Sequence, residues 1–250
     1  MTSYLADAAN WLRMSLLLAV AACCGNTSAD ADTVTLSTLG SVPNKEHGQS
    51  WLNITPGHPP RSVDGNVLVG LVPSSEFIEF RNFFTFVIPA SAQPFKSATL
   101  MLGRGRGDTD APDGFETWGV FDVDASLSTL YQTSDPGAIA TAFEDLGTGV
   151  SYGEFQVDPE PNDIPDRRKE ILSFELNSAA ISDLNQARGS RMTLGGRLLT
   201  ITSQIDAAFG GPISEVGNAK LVLVTVPEPA TCGMLALGFV GLTAIRRRAQ

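Results

Sequence analysis

Phe77-Ile78-Glu79-Phe80-Arg81-Asn82-Phe83-Phe84-Thr85-Phe86-Val87-Ile88 decides the fold. Even positions carry Ile78, Phe80, Asn82, Phe84, Phe86 and Ile88, whereas odd ones carry Glu79, Arg81 and Thr85 among Phe77, Phe83 and Val87. A period of two with this aromatic and β-branched content predicts a long strand with one face in a core. The odd face is only half polar, so something partly covers it. Pro89 ends the run, because proline has no N–H to give a ladder.

Outward from this stretch the same alternation recurs in shorter runs. Val34–Thr38, Asn66–Val72, Ser97–Leu102 and Glu116–Val123 predict strands, as do Ser151–Val157, Glu170–Leu176, Met192–Thr202 and Lys220–Val226. Ser41–Gly65, rich in Pro, Gly, His and Asn, predicts an irregular loop pinned by Trp51 and Ile54. Gly103–Gly114 and the Pro-rich, charged Asp158–Glu170 predict surface loops. Two helical patterns interrupt the strands. Pro136–Leu146 places Ile139, Ala142, Phe143 and Leu146 at helical spacing, and Ser178–Arg188 does so with Ile181 and Leu184. Ser178 reads as the N-cap of the second and Gly189 as its stop. Nine or ten strands with frequent turns predict an all-β, antiparallel β-sandwich, jelly-roll-like, with one or two short helices.

Both ends of the 250-residue chain read as targeting segments. Met14–Cys24 is an apolar run preceded by Arg13, and Ala29-Asp30-Ala31 fits a signal-peptidase site, so residues 1–31 predict a signal peptide. Translation from Met14 is an open alternative, as is lipidation of Cys23 within Val20-Ala21-Ala22-Cys23. Residues 32–226 are left as one domain, long enough for a sizeable core. That domain holds 13 Lys and Arg against 24 Asp and Glu, a net charge near −11. Such a balance argues against nucleic acid as a partner. All three cysteines (Cys23, Cys24, Cys232) lie outside it, so it offers no disulfide, thiol nucleophile or zinc-cysteine site.

The last residues read Val226-Pro227-Glu228-Pro229-Ala230, then an apolar run to Ile245, then Arg246-Arg247-Arg248. Ala230–Ile245 is 16 residues, about 24 Å as a helix against a hydrocarbon core of about 30 Å. A short transmembrane helix over about 230–245 is expected, with the arginines on the cytoplasmic side. Pro227 and Pro229 keep the box out of strand ladders and helix interiors. This end, residues 227–250, resembles a PEP-CTERM sorting signal; an ordinary C-terminal anchor is the competing reading. Arg81–Phe86, Ser97–Leu100, Glu116–Val123 and Asp145–Gly153 also resemble the β-rich ectodomain shared by many PEP-CTERM proteins. Ser97-Ala98-Thr99-Leu100 after a Phe-rich strand is similar to carbohydrate-binding β-sandwich modules as well.

The resemblance implies processing by exosortase, a membrane-embedded cysteine peptidase, near Pro227-Glu228-Pro229. It implies transient anchoring in the inner membrane of a Gram-negative bacterium. The cell surface or extracellular matrix follows, with exopolysaccharide as a possible partner of a non-enzymatic protein. The alternative function is a carbohydrate-binding module.

Other chemistry is weaker. Gly149-Val150-Ser151-Tyr152-Gly153 has the G-x-S-x-G form of a hydrolase elbow, but a helical pattern precedes it and a strand follows, the reverse of what an elbow needs. His47 and His58 both lie upstream, which breaks the Ser…Asp…His order, and as a pair they are a weak metal candidate. Asp108, Asp110, Asp113 and Glu116 are a weak candidate calcium loop, without EF-hand spacing. Trp51, Trp118, Tyr131 and Tyr152 are candidates for a sugar-stacking platform. Arg104, Arg106, Arg167, Arg168 and Lys169 read as solvated basic patches. No cofactor motif is apparent.

Overall fold

The long strand of the sequence is the hub of the fold. In the computed structural model the described residues are 31–38, 47–53, 61–64, 67–73, 77–91, 93–104, 114–132, 135–158, 170–202, 206–209 and 219–226. Strand β5, Phe77–Val87, has partners along both edges. On one edge β2 (His47–Asn53) pairs with Ile78–Phe84. The other edge is shared by β4 (Val69–Pro73), opposite Phe77–Phe80, and β10 (Arg191–Leu198), opposite Asn82–Val87. β7 (Glu116–Asp122) and β8 (Ser151–Val157) extend this sheet beyond β10, and β11 (Asp206–Ala208) extends it beyond β4. β3 (Arg61–Asp64) pairs with β2, completing eight strands.

A second, four-stranded sheet has the order β1-β12-β6-β9, from β1 (Thr33–Ser37), β12 (Lys220–Thr225), β6 (Phe95–Gly103) and β9 (Ile171–Glu175). Every ladder is antiparallel. Pairing is nested: β1 with β12, β5 with β10, β6 with β9 and β7 with β8. The fold is therefore all-β and sandwich-like.

Period-two sequences face each other across the core. Ala98, Leu100 and Leu102 of β6 and Leu221 and Leu223 of β12 meet Phe84 and Phe86 of β5 and Leu194 and Leu198 of β10. Trp118 on β7 joins the sheets: its ring centroid lies 5.0 Å from that of Phe174 on β9, 4.9 Å from Phe209 and 6.5 Å from Phe84. Edge-on aromatic contacts of this kind add to the burial they accompany. Phe209 holds φ +60 while buried in that cluster, a strained backbone for an aromatic residue.

The odd face of β5 is covered too, as its half-apolar content requires. Helices α1 (Leu127–Gln132) and α2 (Pro136–Asp145) lie over it, with Phe83 packed against Leu130, Ala142 and Leu146. Arg81 beside Phe83 is buried. Its Nη1 donates to Phe143 O at 2.9 Å, Glu144 O at 3.2 Å and Glu144 Oε2 at 3.1 Å. Its Nε donates to Glu79 Oε1 at 2.9 Å, and the guanidinium stacks on the Phe143 ring at 4.2 Å. Asp135 caps the start of α2, its Oδ1 accepting from Gly137 N, with Pro136 at the first helical position.

Several elements depart from the sequence reading. The expected loop Ser41–Gly65 contains β2 and β3, whose mostly polar sequences lack alternation; β2 forms against the long edge of β5. Twelve strands are described, and α1 and the three-residue β11 carry no periodic signal of their own. The third helix, α3 (Ser178–Gln186), is capped by Asn177 rather than Ser178: Asn177 Oδ1 accepts from Ala179 N and Ala180 N. Among the described residues no helix is long and apolar enough to cross a membrane, and the expected span 230–245 lies outside them.

Arg81→Met should lower stability in urea by about 2–3 kcal/mol, the cost of leaving buried carbonyls and Glu79 without their cation. Hydrogen exchange should rise first over α2. Unchanged exchange there would show that apolar packing alone holds the helix.

Candidate functional site

At one end of the sandwich β7 finishes, β8 starts, and α3 crosses from the four-stranded sheet to the eight-stranded one. A groove of about 790 Å³ opens there, lined by Asp122, Asp124, Tyr152, Asp183 and Arg191, with Thr85 and Thr193 on its wall. A neighbouring hollow of about 610 Å³ between α1 and α2 shares Asp124 and adds Glu144 and Asp145. The end is thus strongly acidic.

Each side chain is placed by its own element. α3 is fixed to the start of β6 by Asn185, whose Nδ2 donates to Phe95 O at 2.9 Å while its Oδ1 accepts from Phe95 N at 2.8 Å. This holds Asp183 over β8, where the Tyr152 hydroxyl donates to Asp183 Oδ2 at 2.8 Å. Asp122 at the end of β7 accepts from Val150 N at 2.6 Å. Gly149 is needed beside it: its φ is +90, and a Cβ there would collide with Asp122 Oδ1. Thr85 and Thr193, opposite each other in the β5–β10 ladder, share a 2.9 Å hydroxyl hydrogen bond.

Burial raises the Asp122 carboxyl above the usual carboxylate range; the Val150 N–H opposes the shift, and the charges of Asp124, Asp145 and Asp183 add to it. Burial likewise raises the Tyr152 hydroxyl, helped by its hydrogen bond to Asp183, so it stays a donor. Such an end can hold cationic or hydroxyl-bearing groups. Among the described residues no three His, Cys, Asp or Glu side chains stand where they could hold a metal ion.

The residues singled out from the sequence are mostly elsewhere. Ser151 starts β8 after the turn that follows α2, so the G-x-S-x-G glycines serve a turn and strand; Gly149 and Gly153 both have positive φ. Trp118 and Tyr152 are buried in the core, not on an exposed face. His47 and Trp51 lie on β2, and Tyr131 in α1. Of the calcium candidates only Glu116 is described: it is fully buried and accepts from Thr200 Oγ1 at 2.7 Å. Asp108, Asp110, Asp113, His58, Arg106, Arg167, Arg168 and Lys169 lie outside the described residues. Arg104 is buried rather than solvated: its Nε donates to Glu170 Oε2 and its Nη1 to Asp158 O. The groove itself escaped the sequence reading, since Asp122, Asp124 and Asp183 come together only through the α3 crossover.

Fold and chain end together define a class: an all-β, sandwich-like domain followed by a short C-terminal address. Residues 225–248 match the family model of the PEP-CTERM protein-sorting motif. The chain carries that motif, as PEP-CTERM domain-containing proteins do, and the motif implies export, processing by exosortase and sorting to the cell surface. No curated protein matches the chain.

A carboxyl with a raised pKa favours the fold most below its unfolded value, and the benefit is lost as pH rises through the folded one. Asp122→Asn keeps an oxygen for Val150 N and removes a partly buried charge that faces three other carboxylates. It should raise the thermal midpoint at neutral pH, the gain vanishing below about pH 4, which calorimetry across that range checks. Tyr152→Phe should cost about 1–2 kcal/mol through the lost bond to Asp183.

Proposed function

We propose that the chain is an exported, non-enzymatic surface or extracellular-matrix protein, sorted by exosortase and associated with exopolysaccharide. The observation that carries this reading is where the address begins. The motif match starts at the end of β12 and its Pro227-Glu228-Pro229 box lies beyond that strand, so cleavage at the box leaves the folded unit Thr33–Thr225 whole. In this reading residues 1–31 are a signal peptide and 32–226 the exported domain. A helix over about 230–245, with Arg246, Arg247 and Arg248 behind it, anchors the chain in the inner membrane of a Gram-negative bacterium until the Pro227-Glu228-Pro229 box is processed.

Two further points support a binding or structural role. The nested pairing β1·β12, β5·β10, β6·β9 and β7·β8 fits a jelly-roll-like winding, an architecture that lectin domains share by analogy of fold alone. Both histidines precede Ser151 in the chain, which leaves the serine without the partner order of a hydrolase.

A carbohydrate-binding module is the second reading, and the acidic groove favours it: Asp124 and Asp183 are acceptors suited to sugar hydroxyls. Buried Trp118 and Tyr152 weigh against stacking as its mode.

Mass spectrometry of surface-released protein should find a chain lacking Arg246–Arg248; their retention would refute exosortase handling. Purified exopolysaccharide should retain the released protein. Retention that Asp124→Asn with Asp183→Asn weakens about tenfold, or 1.4 kcal/mol, selects the binding module. No retention removes exopolysaccharide from the assignment.

A further inference from the structure

Strand β1 closes one side of the four-stranded sheet. Its ladder with β12 runs without a register shift, from Thr33 opposite Val224 to Ser37 opposite Lys220. Thr38 N donates to Ala219 O at 3.0 Å and continues that ladder. Hydrogen-bonded positions alternate along an antiparallel ladder, so Leu36 and Val34 turn their N–H and C=O groups toward β12, as Thr38 does. Thr33, Thr35 and Ser37 turn theirs the other way. Among the described residues no strand pairs with that outward edge.

Sheets commonly blunt such edges with charged residues, proline or bulges. β1 has none of these, reading Thr33-Val34-Thr35-Leu36-Ser37. The other strands with a single ladder partner among the described residues each contain an acidic or basic residue: Arg61 and Asp64 in β3, Glu154 in β8, Glu175 in β9 and Asp206 in β11. The domain carries a net charge near −11, so two copies repel over most of their surfaces. β1 brings no charge of its own into a contact. It is also complementary to itself. Antiparallel pairing of two copies about Thr35 sets Thr35 opposite Thr35, and Thr33 opposite Ser37. Those are the residues with outward backbone groups, so each such pair exchanges both N–H···O bonds. Val34 then faces Leu36 at the intervening positions, where side chains approach most closely. Both are only partly buried within one copy, packed against its core, and their contact extends that core from copy to copy. The exposed Thr33, Thr35 and Ser37 side chains meet as hydroxyl pairs on the other face. A slip of one residue would put the apolar pair on the wrong face, so the register is specified.

We propose that β1 is the edge through which two copies of this chain associate, joining their four-stranded sheets into one continuous sheet about a two-fold axis at Thr35. A contact of five residues a side is short, so the dimer belongs to the weak class that forms at high protein concentration.

Cross-linking tests the axis directly. Cα atoms of a hydrogen-bonded antiparallel pair lie about 5.5 Å apart, within disulfide range, and no cysteine lies between Thr33 and Thr225. The chain as isolated from its cells, concentrated under mild oxidation, should give about tenfold more reducible dimer with Thr35→Cys than the wild type gives. Ser173→Cys, exposed on β9, should stay at the wild-type level. A mixture of Thr33→Cys and Ser37→Cys chains should cross-link several-fold more than either alone, which checks the register. Thr35→Pro removes an outward N–H and leaves the β12 ladder intact. In sedimentation it should remain monomeric where the wild type dimerises, with its thermal midpoint unchanged in dilute protein. Added salt should strengthen the wild-type dimer by screening the acidic domains. Cross-linking no greater at Thr35 than at Ser173 overturns the inference, as does a Thr35→Pro chain that dimerises like the wild type.

Discussion

The helical cover of the large sheet depends on one buried cation. Arg81 stands on the odd face of β5, where Phe83 and Thr85 are its neighbours and α2 ends above it. A helix leaves its last carbonyls unpaired and carries partial negative charge at that end. The guanidinium adds a donor to two carbonyls of that last turn, Phe143 O and Glu144 O, which also accept from Leu146 N and Gly147 N, and it packs on the Phe143 ring. Its charge is balanced by Glu79 on the same strand and by Glu144 on the helix. Apolar contact between Phe83 and Leu130, Ala142 and Leu146 is non-directional; Arg81 adds the direction that fixes where α2 stops.

That arrangement works only because the neighbouring strand is thin. Gly195 and Gly196 sit side by side on β10, facing opposite ways, as successive strand residues do. A Cβ on Gly195 would meet Leu146 O at 2.5 Å, on the helical side. One on Gly196 would strike Asn82 Oδ1 and the Trp118 indole, on the core side. The helices can therefore lie close to one face, and Trp118 can fill the other beside β10. From Trp118 the aromatic cluster carries the packing across to Phe174 in the second sheet. Cover, sheet and core are one stack held through two adjacent glycines.

The parts of this stack that were legible in the sequence are those where burial imposes a period. β5, β8 and α2 stand close to their expected limits because alternation or helical spacing runs through each of them. β2 and β3 were not legible: neither sequence alternates, and each is a strand by virtue of its partner. The cap of α3 was misplaced by one residue because Asn177 and Ser178 are both able to cap; the choice fell to Asn177, whose Nδ2 also reaches Ser151 O. The half-apolar odd face announced a cover without saying what it was. The acidic groove had no sequence signature, since Asp122 and Asp183 are brought together by α3 passing between sheets. Trp118 and Tyr152 show the converse: aromatic residues that read as a platform belong to the core.

The topology also says when such a domain can be complete. β1 and β12, the first and last strands, are partners, and β12 separates β1 from β6. Until Lys220–Thr225 has arrived, β1 lacks its ladder partner among the described strands, and of the small sheet only β6 and β9 can pair. Contacts this distant in sequence are made late and slowly. Nested pairing from the ends inward means that nearly the whole chain must be delivered before the outermost pair can close. A protein exported with an address at its C-terminus meets this condition naturally, because the strand that closes the sheet is the last part of the domain to arrive. With no cysteine between Thr33 and Thr225, closure is secured by the ladders of β12 with β1 and β6 and by packing, with Leu221 and Leu223 joining Phe84 and Phe86 in one core.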